Sequence, residues 1–339
     1  MAHGRIRALL AVTCALVAND AYAWGSKGHE IVGMLGAEAF PREVPAFLRT
    51  SSAIATIASF ATELDRSKGA GTTHDRERDP GHYVDFDDAG KAEGAVPLTA
   101  LPDTREAYDT ALRAEKKTQY RAGYLPYSLV DGFQQLVKDF GYYRAALVGE
   151  RTAKTKEDRA FFAKDRARRE LLTLRDLGVW SHYVGDASQP LHVTSHYNGW
   201  GDFPNPNKYS TDKTLHSRFE SAFVRDNIKV ADVRAAMHPY DPCGCGVADR
   251  TVRYLGRTLA HVETVYQMEA RAPFAKGPAA DDEVQFVTQR LADGASELRD
   301  YVVEAWRLSA LSTVGYPTIS VAAIERGEVQ LTRQSFGAE

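Results

Sequence analysis

The sequence predicts a single compact domain that is all-α. Three observations lead there: apolar residues recur at helical spacing over long segments, strand-like alternation is scarce, and the interruptions are short and turn-rich without low-complexity composition. In chain order the first helical segment is 28–40, where Ile31 and Leu35 fall four apart. Segment 44–61 continues with Val44 and Leu48, and 105–116 with Tyr108 and Leu112. Segment 127–148 sets Leu129, Phe133, Leu136 and Phe140 along one face, and 159–186 does the same with Leu177, Trp180 and Val184. Phe219 and Phe223 mark 216–227, Tyr254 and Leu255 mark 247–270, and Val287, Leu291, Leu298 and Val302 mark 281–311. Breaks rich in Gly, Pro, Asn, Asp and Ser fall at 68–81, 89–102, 198–213, 237–246 and 272–280. With no internal repeat and no linker, 24–311 reads as one domain, followed by a tail, 312–339, whose role has no sequence signature.

At 339 residues, 44% hydrophobic and 26% charged, the chain has ample apolar material for a buried core. Its 42 Lys+Arg against 45 Asp+Glu give a net charge of −3, which excludes nucleic-acid binding through bulk positive charge. Any affinity for phosphate has to be built locally. Residues 1–23 have the layout of a secretory signal peptide, with Arg5 and Arg7 ahead of a short apolar run and Ala21 and Ala23 at the small positions of an A-x-A site. No later stretch approaches the roughly 18 uninterrupted apolar residues of a membrane span. The expectation is an exported chain, periplasmic or secreted, that begins at Trp24, has no transmembrane anchor and carries a net charge of −4. No obligate protein partner is evident. Cys14 departs with the leader, leaving Cys243 and Cys245 in HPYDPCGCGVAD as a disulfide, two free thiols or a weak metal site.

The histidines carry the chemistry. In the run from His182 to His192, His182 and Asp186 lie four apart on one helix face, and Pro190 turns the chain before His192. His216 and Glu220 repeat the four-residue step after a long loop. Imidazole nitrogen and carboxylate oxygen held on rigid elements are zinc ligands. One such pair is ordinarily a salt-bridged helix surface, whereas two pairs with a further histidine point to a metal site. His29 and His82 would each be unremarked alone, and His74, His196, His238 and His261 read as solvated or core histidines.

The motifs as a set, Trp24-Gly-Ser-Lys-Gly-His29, the H-x3-D-x5-H element from His182 to His192 with its G-D-x-x-Q-P-x-H, and His216-Ser-Arg-Phe-Glu220, resemble in kind and order the S1/P1 nuclease and zinc phospholipase C superfamily. The resemblance implies that family's helical fold and three Zn2+ ions. The Trp24 amine and carbonyl with His192, His216 and Glu220 would surround one part of the cluster, and His29, His82, His182 and an upstream aspartate the other, with Asp186 shared between two ions. The family's nucleases place that aspartate in W-A-D. Here Thr62 stands at the position, so Asp65 is the replacement and Glu63 the reserve, and Arg66 is the candidate for the arginine that stabilises the transition state. A free α-amine has a pKa of about 7.7–8.0 and can yield its proton to zinc, whereas an uncleaved precursor offers only an amide there. Three divalent ions would outweigh the carboxylates of Asp65, Asp186 and Glu220 and supply the local positive field.

The resemblance implies a secreted zinc-dependent phosphodiesterase, a hydrolase of phosphoric esters in which Asp186 serves the catalytic ion pair and Arg66 the developing charge. Asp85 matches an aspartate found in both branches and, with Phe86, is a substrate-binding candidate; Tyr197, Trp200 and Phe203 are further aromatics that stack bases, meet lipid chains or fill the core. The five-residue step from Trp24 to His29 resembles the nucleases, while Glu220 and the run from His82 to Asp88 resemble the phospholipases. Lys27, near the place where choline-preferring members have an acid, favours the nuclease reading: single-stranded DNA or RNA, or 3′-nucleotides, as substrate. The alternatives are a phospholipase C acting on phospholipid head groups and a non-catalytic exported zinc-binding protein.

Overall fold

The computed structural model describes residues 24–274 and 277–336; the expected leader at 1–23 lies outside them. As the sequence predicts, the fold is one all-α arrangement; the strands among the described residues form two short hairpins, β1 Lys91–Ala92 with β2 Val96–Pro97 and β3 Thr313–Val314 with β4 Ile319–Ser320. The helices are α1 Ser26–Glu38, α2 Ser51–Phe60, α3 Thr72–Arg78, α4 Arg105–Ala114, α5 Gln119–Ala122, α6 Leu125–Thr152, α7 Lys156–Asp186, α8 Leu215–Ser217, α9 Val224–Asn227, α10 Val230–Ala236, α11 Val247–Leu259, α12 Val262–Arg271, α13 Asp281–Ser309 and α14 Val321–Glu325. None of the described helices is long and apolar enough to cross a membrane.

The frame is the helical hairpin α6–α7, turned at 153–155, where Thr155 Oγ1 accepts from Asp158 N at 3.0 Å and caps α7. Across it lies α13, which also packs on α1, while α2 wedges between α1 and α7. Leu35, Leu129, Leu136, Phe140, Leu177, Val184, Leu291 and Leu298 meet in this core with at most 1% exposure. The middle of α13 is charged and still buried because Arg250 of α11 answers it, donating to Glu297 at 2.6 Å, Asp300 at 3.1 Å, Glu304 at 2.8 Å and the Asp241 carbonyl at 3.0 Å. That network ties α11 and the 237–246 loop to α13, and each charge would be costly if its partner were removed.

Several boundaries differ from the sequence reading. Segment 44–61 is split into a 3-10 turn, Ala46–Arg49, and α2, because the Thr50 hydroxyl accepts from Ala53 N at 3.1 Å and starts a new helix. Segment 247–270 divides at 260–261 into α11 and α12. The 68–81 break contains α3, which buries no side chain and so leaves no apolar periodicity to read. The tail from 312 onward is ordered over the described residues: Val314, Val321, Ile324 and Leu331 join Ala145, Val148 and Phe162 in a second apolar cluster that covers the turn end of the α6–α7 hairpin. Arg144 fastens it, donating to Glu325 at 2.8 Å and to Ser309 at 2.8 Å.

Ile324→Ala should therefore cost about 2–5 kcal/mol in urea unfolding, the usual loss for a fully buried aliphatic side chain. A second prediction concerns Asp139, buried between α6 and α7. Gln135 Nε2 donates to Asp139 Oδ2 at 3.1 Å and to Asp176 Oδ2 at 3.0 Å, and Lys138 Nζ lies 3.4 Å from Asp139 Oδ1. Burial, aided by Asp176 and opposed by Lys138, pushes the Asp139 carboxyl from 3.8 up to about 6. The folded state then holds a proton that the unfolded chain releases earlier. This contribution to stability is complete below the ordinary aspartate pKa and is lost as pH rises through about 6. Unfolding free energies measured from pH 4 to 7 should fall less steeply in Asp139→Asn than in the parent.

Candidate metal centre

Seven elements deliver the site. His29 comes from α1, Asp65 from the turn after α2, His82 from the 3-10 turn Asp79–His82, and His182 and Asp186 from the last turn of α7. His192 closes the 3-10 turn Pro190–His192, and His216 and Glu220 span α8 and the π-helical turn Arg218–Phe223. A wide π turn of this kind recurs at functional sites, where it re-aims a side chain. Gly185 permits the assembly, because a Cβ there would stand 2.9 Å from His29 Nδ1.

These eight side chains, each at most 6% exposed, form three groups whose ligand atoms lie within 4.8 Å of one another: His29, His182 and Asp186; Asp65, His82 and His182; and His192, His216 and Glu220. Asp186 Oδ1 is 3.4 Å from His29 Nε2 and 3.9 Å from His192 Nδ1, while Oδ2 is 3.2 Å from His82 Nδ1 and 3.4 Å from His182 Nε2. His182 Nε2 also stands 2.9 Å from His82 Nδ1 and 3.8 Å from Asp65 Oδ1, and the His29 and His182 rings stack at 3.7 Å.

Backbone carbonyls set the tautomers. A carbonyl can only accept, so Nδ1–H of His182 donates to Ala61 O at 2.7 Å, that of His192 to His82 O at 2.8 Å, and that of His216 to Tyr197 O at 2.9 Å. In the neutral rings each Nε2 is left as an electron pair turned inward. His192 and His216 then face each other at 3.1 Å between Nε2 atoms, with Glu220 Oε2 at 3.7 and 2.8 Å. Burial is the chief influence on His192 and holds it below the usual histidine range. For Glu220 burial pulls upward, but His216 and His192 outweigh it and keep the carboxyl below its ordinary value. Glu220 Oε1 has no hydrogen-bond partner among the described residues. Convergent electron pairs around a buried anion, with outer nitrogens fixed by carbonyls, fit divalent cations of the kind that imidazole and carboxylate bind.

Trp24 is seated beside these groups. Its indole is fully buried, donates to Ser188 Oγ at 2.9 Å and stacks on Phe219 at 5.6 Å, while Gly25 N donates to Glu220 O at 3.2 Å. Of the acids weighed upstream, Asp65 joins the donor groups. Glu63 turns outward to Arg66 at 3.3 Å, and Thr62 bonds back to Ser59 O at 3.0 Å. Arg66 is surface-exposed, and the structure does not bring it against the buried groups. Two further expectations are corrected. Phe86 is fully buried in the core and presents no face for stacking. Lys27 donates to the carbonyls of Arg225 and Ile228, each at 3.1 Å, so it caps α9 rather than facing an incoming head group.

A cavity of about 700 Å³ opens onto His82, His192 and His216. Asp85 is buried in its wall, and burial first, then the charge of Glu93, pushes its carboxyl well above the usual range against the pull of Arg121. Tyr83, Tyr120, Arg121 and Lys213 also line it, together with the exposed rings of Tyr197 and Phe203. Tyr83 had a signal, adjacency to His82; Arg121 comes from α5 and had none. His196, read as a solvated or core histidine, is a core one: it is buried and meets Asp88 Oδ1 at 2.8 Å while stacking on Trp200 at 3.8 Å. A second groove, about 780 Å³, runs over Tyr183 between α6 and α7 and is lined by none of the eight donors.

Fold and site together define an all-α protein with three buried histidine–carboxylate groups that could hold metal ions. The chain matches no protein-family model and no curated protein. Metal analysis of the purified protein should separate the groups. Glu220→Gln should lose the ion held with His192 and His216 and keep the others, whereas Asp186→Asn, which touches four of the histidines, should weaken the adjoining sites by at least about a hundredfold. Equal stoichiometry in parent and both variants would reject the assignment.

Proposed function

We propose that the chain is a zinc-dependent phosphodiesterase of the S1/P1 nuclease and phospholipase C superfamily, acting on single-stranded nucleic acid or nucleotides. One observation carries this reading: adjacent donor groups share His182 and converge on Asp186, beside an open cleft lined by His82, His192 and His216. His29, His82, His182, Asp65 and Asp186 would hold one pair of ions and His192, His216 and Glu220 a third. A chain beginning at Trp24 would add its amine beside the third. When bound, such ions activate water for attack at phosphorus and neutralise charge on the leaving oxygen.

The rest falls to the chain's own residues. The carbonyls of Ala61, His82 and Tyr197 keep three imidazoles in a single tautomer and orientation, so the donors need no rearrangement to act. The exposed rings of Tyr197 and Phe203 at the cleft, with Tyr83 and Asp85 in its wall, suit an unpaired base, which stacks on aromatic faces and offers an edge to a carboxyl. Because Lys27 is engaged by the carbonyls of Arg225 and Ile228, it is this aromatic and carboxyl lining that favours nucleic acid over a phospholipid head group. Open cleft access favours catalysis over a closed structural site.

The test is protein beginning at Trp24, loaded with zinc and incubated with single-stranded DNA, RNA and phosphatidylcholine micelles beside a chelated control. The expected outcome is chelator-sensitive cleavage of nucleic acid, with Tyr197→Ala raising KM more than it lowers kcat. Cleavage of lipid alone would transfer the assignment to phospholipase C, and bound zinc without turnover on any substrate would leave a metal-binding protein.

A further inference from the structure

The 237–246 loop carries the two cysteines whose state is open in the sequence and which the candidate metal centre does not use. Cys243 and Cys245 are joined as a disulfide, with their Cα atoms 5.2 Å apart. A cross-link that spans one intervening residue removes little freedom from the unfolded chain, so it adds little as a staple. The loop is also held without it. Asp241 N donates to Asp300 Oδ2 at 3.2 Å and His238 N to Ser296 Oγ at 3.2 Å, while Arg250 and Arg299 donate to the carbonyls of Asp241 at 3.0 Å and His238 at 2.7 Å.

What the disulfide does have is access and an adjacent positive charge. Both cysteines are half-buried, and Pro242, Gly244 and Gly246 around them are exposed. Gly244 takes the left-handed φ of 62° that lets the chain turn between them. Arg253, from the second turn of α11, places Nη1 3.5 Å from Cys243 Sγ. The amino-terminal end of that 13-residue helix follows Cys245 directly, and its dipole also favours a thiolate. The acids nearby in sequence, Asp241 and Asp249, are exposed to solvent.

We propose that Cys243–Cys245 is a thiol–disulfide exchange site whose substrates are free thiols. An incoming thiolate attacks Cys245 Sγ. The new S–S bond forms there as the internal one breaks, and the electron pair leaves on Cys243, whose thiolate Arg253 stabilises. A second thiolate then attacks the outer sulfur of the mixed disulfide and releases Cys245. One disulfide is reduced to two cysteine thiols, two substrate thiols become one disulfide, and the two protons pass from the substrate to the cysteines. No other reactant is required.

The test uses the folded full chain in its metal-loaded form, incubated with reduced glutathione or with a cysteine-bearing peptide, quenched by alkylation and mapped residue by residue by mass spectrometry. Both cysteines should become alkylated without denaturant, with the transient adduct on Cys245, while circular dichroism and metal content stay unchanged. Arg253→Ala should slow opening several-fold and Arg253→Lys should restore most of the rate. A disulfide that opens only after guanidinium unfolding overturns the proposal. Equal opening rates in parent and Arg253→Ala, with adducts spread evenly over the two sulfurs, overturn it as well.

Discussion

A carboxylate with no solvent exposure, Asp186, is the constraint on which the rest of the structure depends. Its two oxygens stand within 4 Å of nitrogens from His29, His82, His182 and His192, which arrive from α1, two 3-10 turns and α7 itself. Burying such an anion is costly unless surrounding groups answer it. The chain elements that carry those histidines are therefore held in one relation to each other. Gly185 shows how tight that relation is, since any side chain there would strike His29.

The long helices serve this requirement. Running α7 for 31 residues places His182 and Asp186 at its end and the Phe162 cluster near its beginning, a separation of about 36 Å along the axis. The tail seals the distant end, and the cleft opens at the near one. Stability and candidate chemistry are thus at opposite ends of one hairpin. The buried charges of α13 belong to the first category: Arg250 and its carboxylates join helices and lie away from the donor groups.

Helical periodicity was legible wherever a helix buries a stripe, as in α6 and α13, and illegible in α3, which buries nothing. The donor residues were legible for a different reason. The four-residue steps His182–Asp186 and His216–Glu220 are local geometry that a sequence records directly, and family-like order supplied His29 and His82. Asp65 stood ahead of its reserve Glu63 in the sequence, but the two could be decided only by a turn whose direction is tertiary. The same holds for Arg66 and Lys27, long side chains whose partners, Glu63 and the end of α9, were not visible from position alone.

By itself, then, the sequence determined the all-α class, the two long helical segments 127–148 and 159–186 and the histidine–carboxylate pairs, because each is written in spacings of three to five residues that the backbone converts into a face. Only the tertiary structure decided that Phe86 is core while Tyr197 and Phe203 are rim, that His196 is matched by Asp88, and that the two cysteines close on each other beneath Arg253. The reason is physical. Exposure and pairing depend on what other elements pack against a side chain, and those elements lie tens to hundreds of residues away.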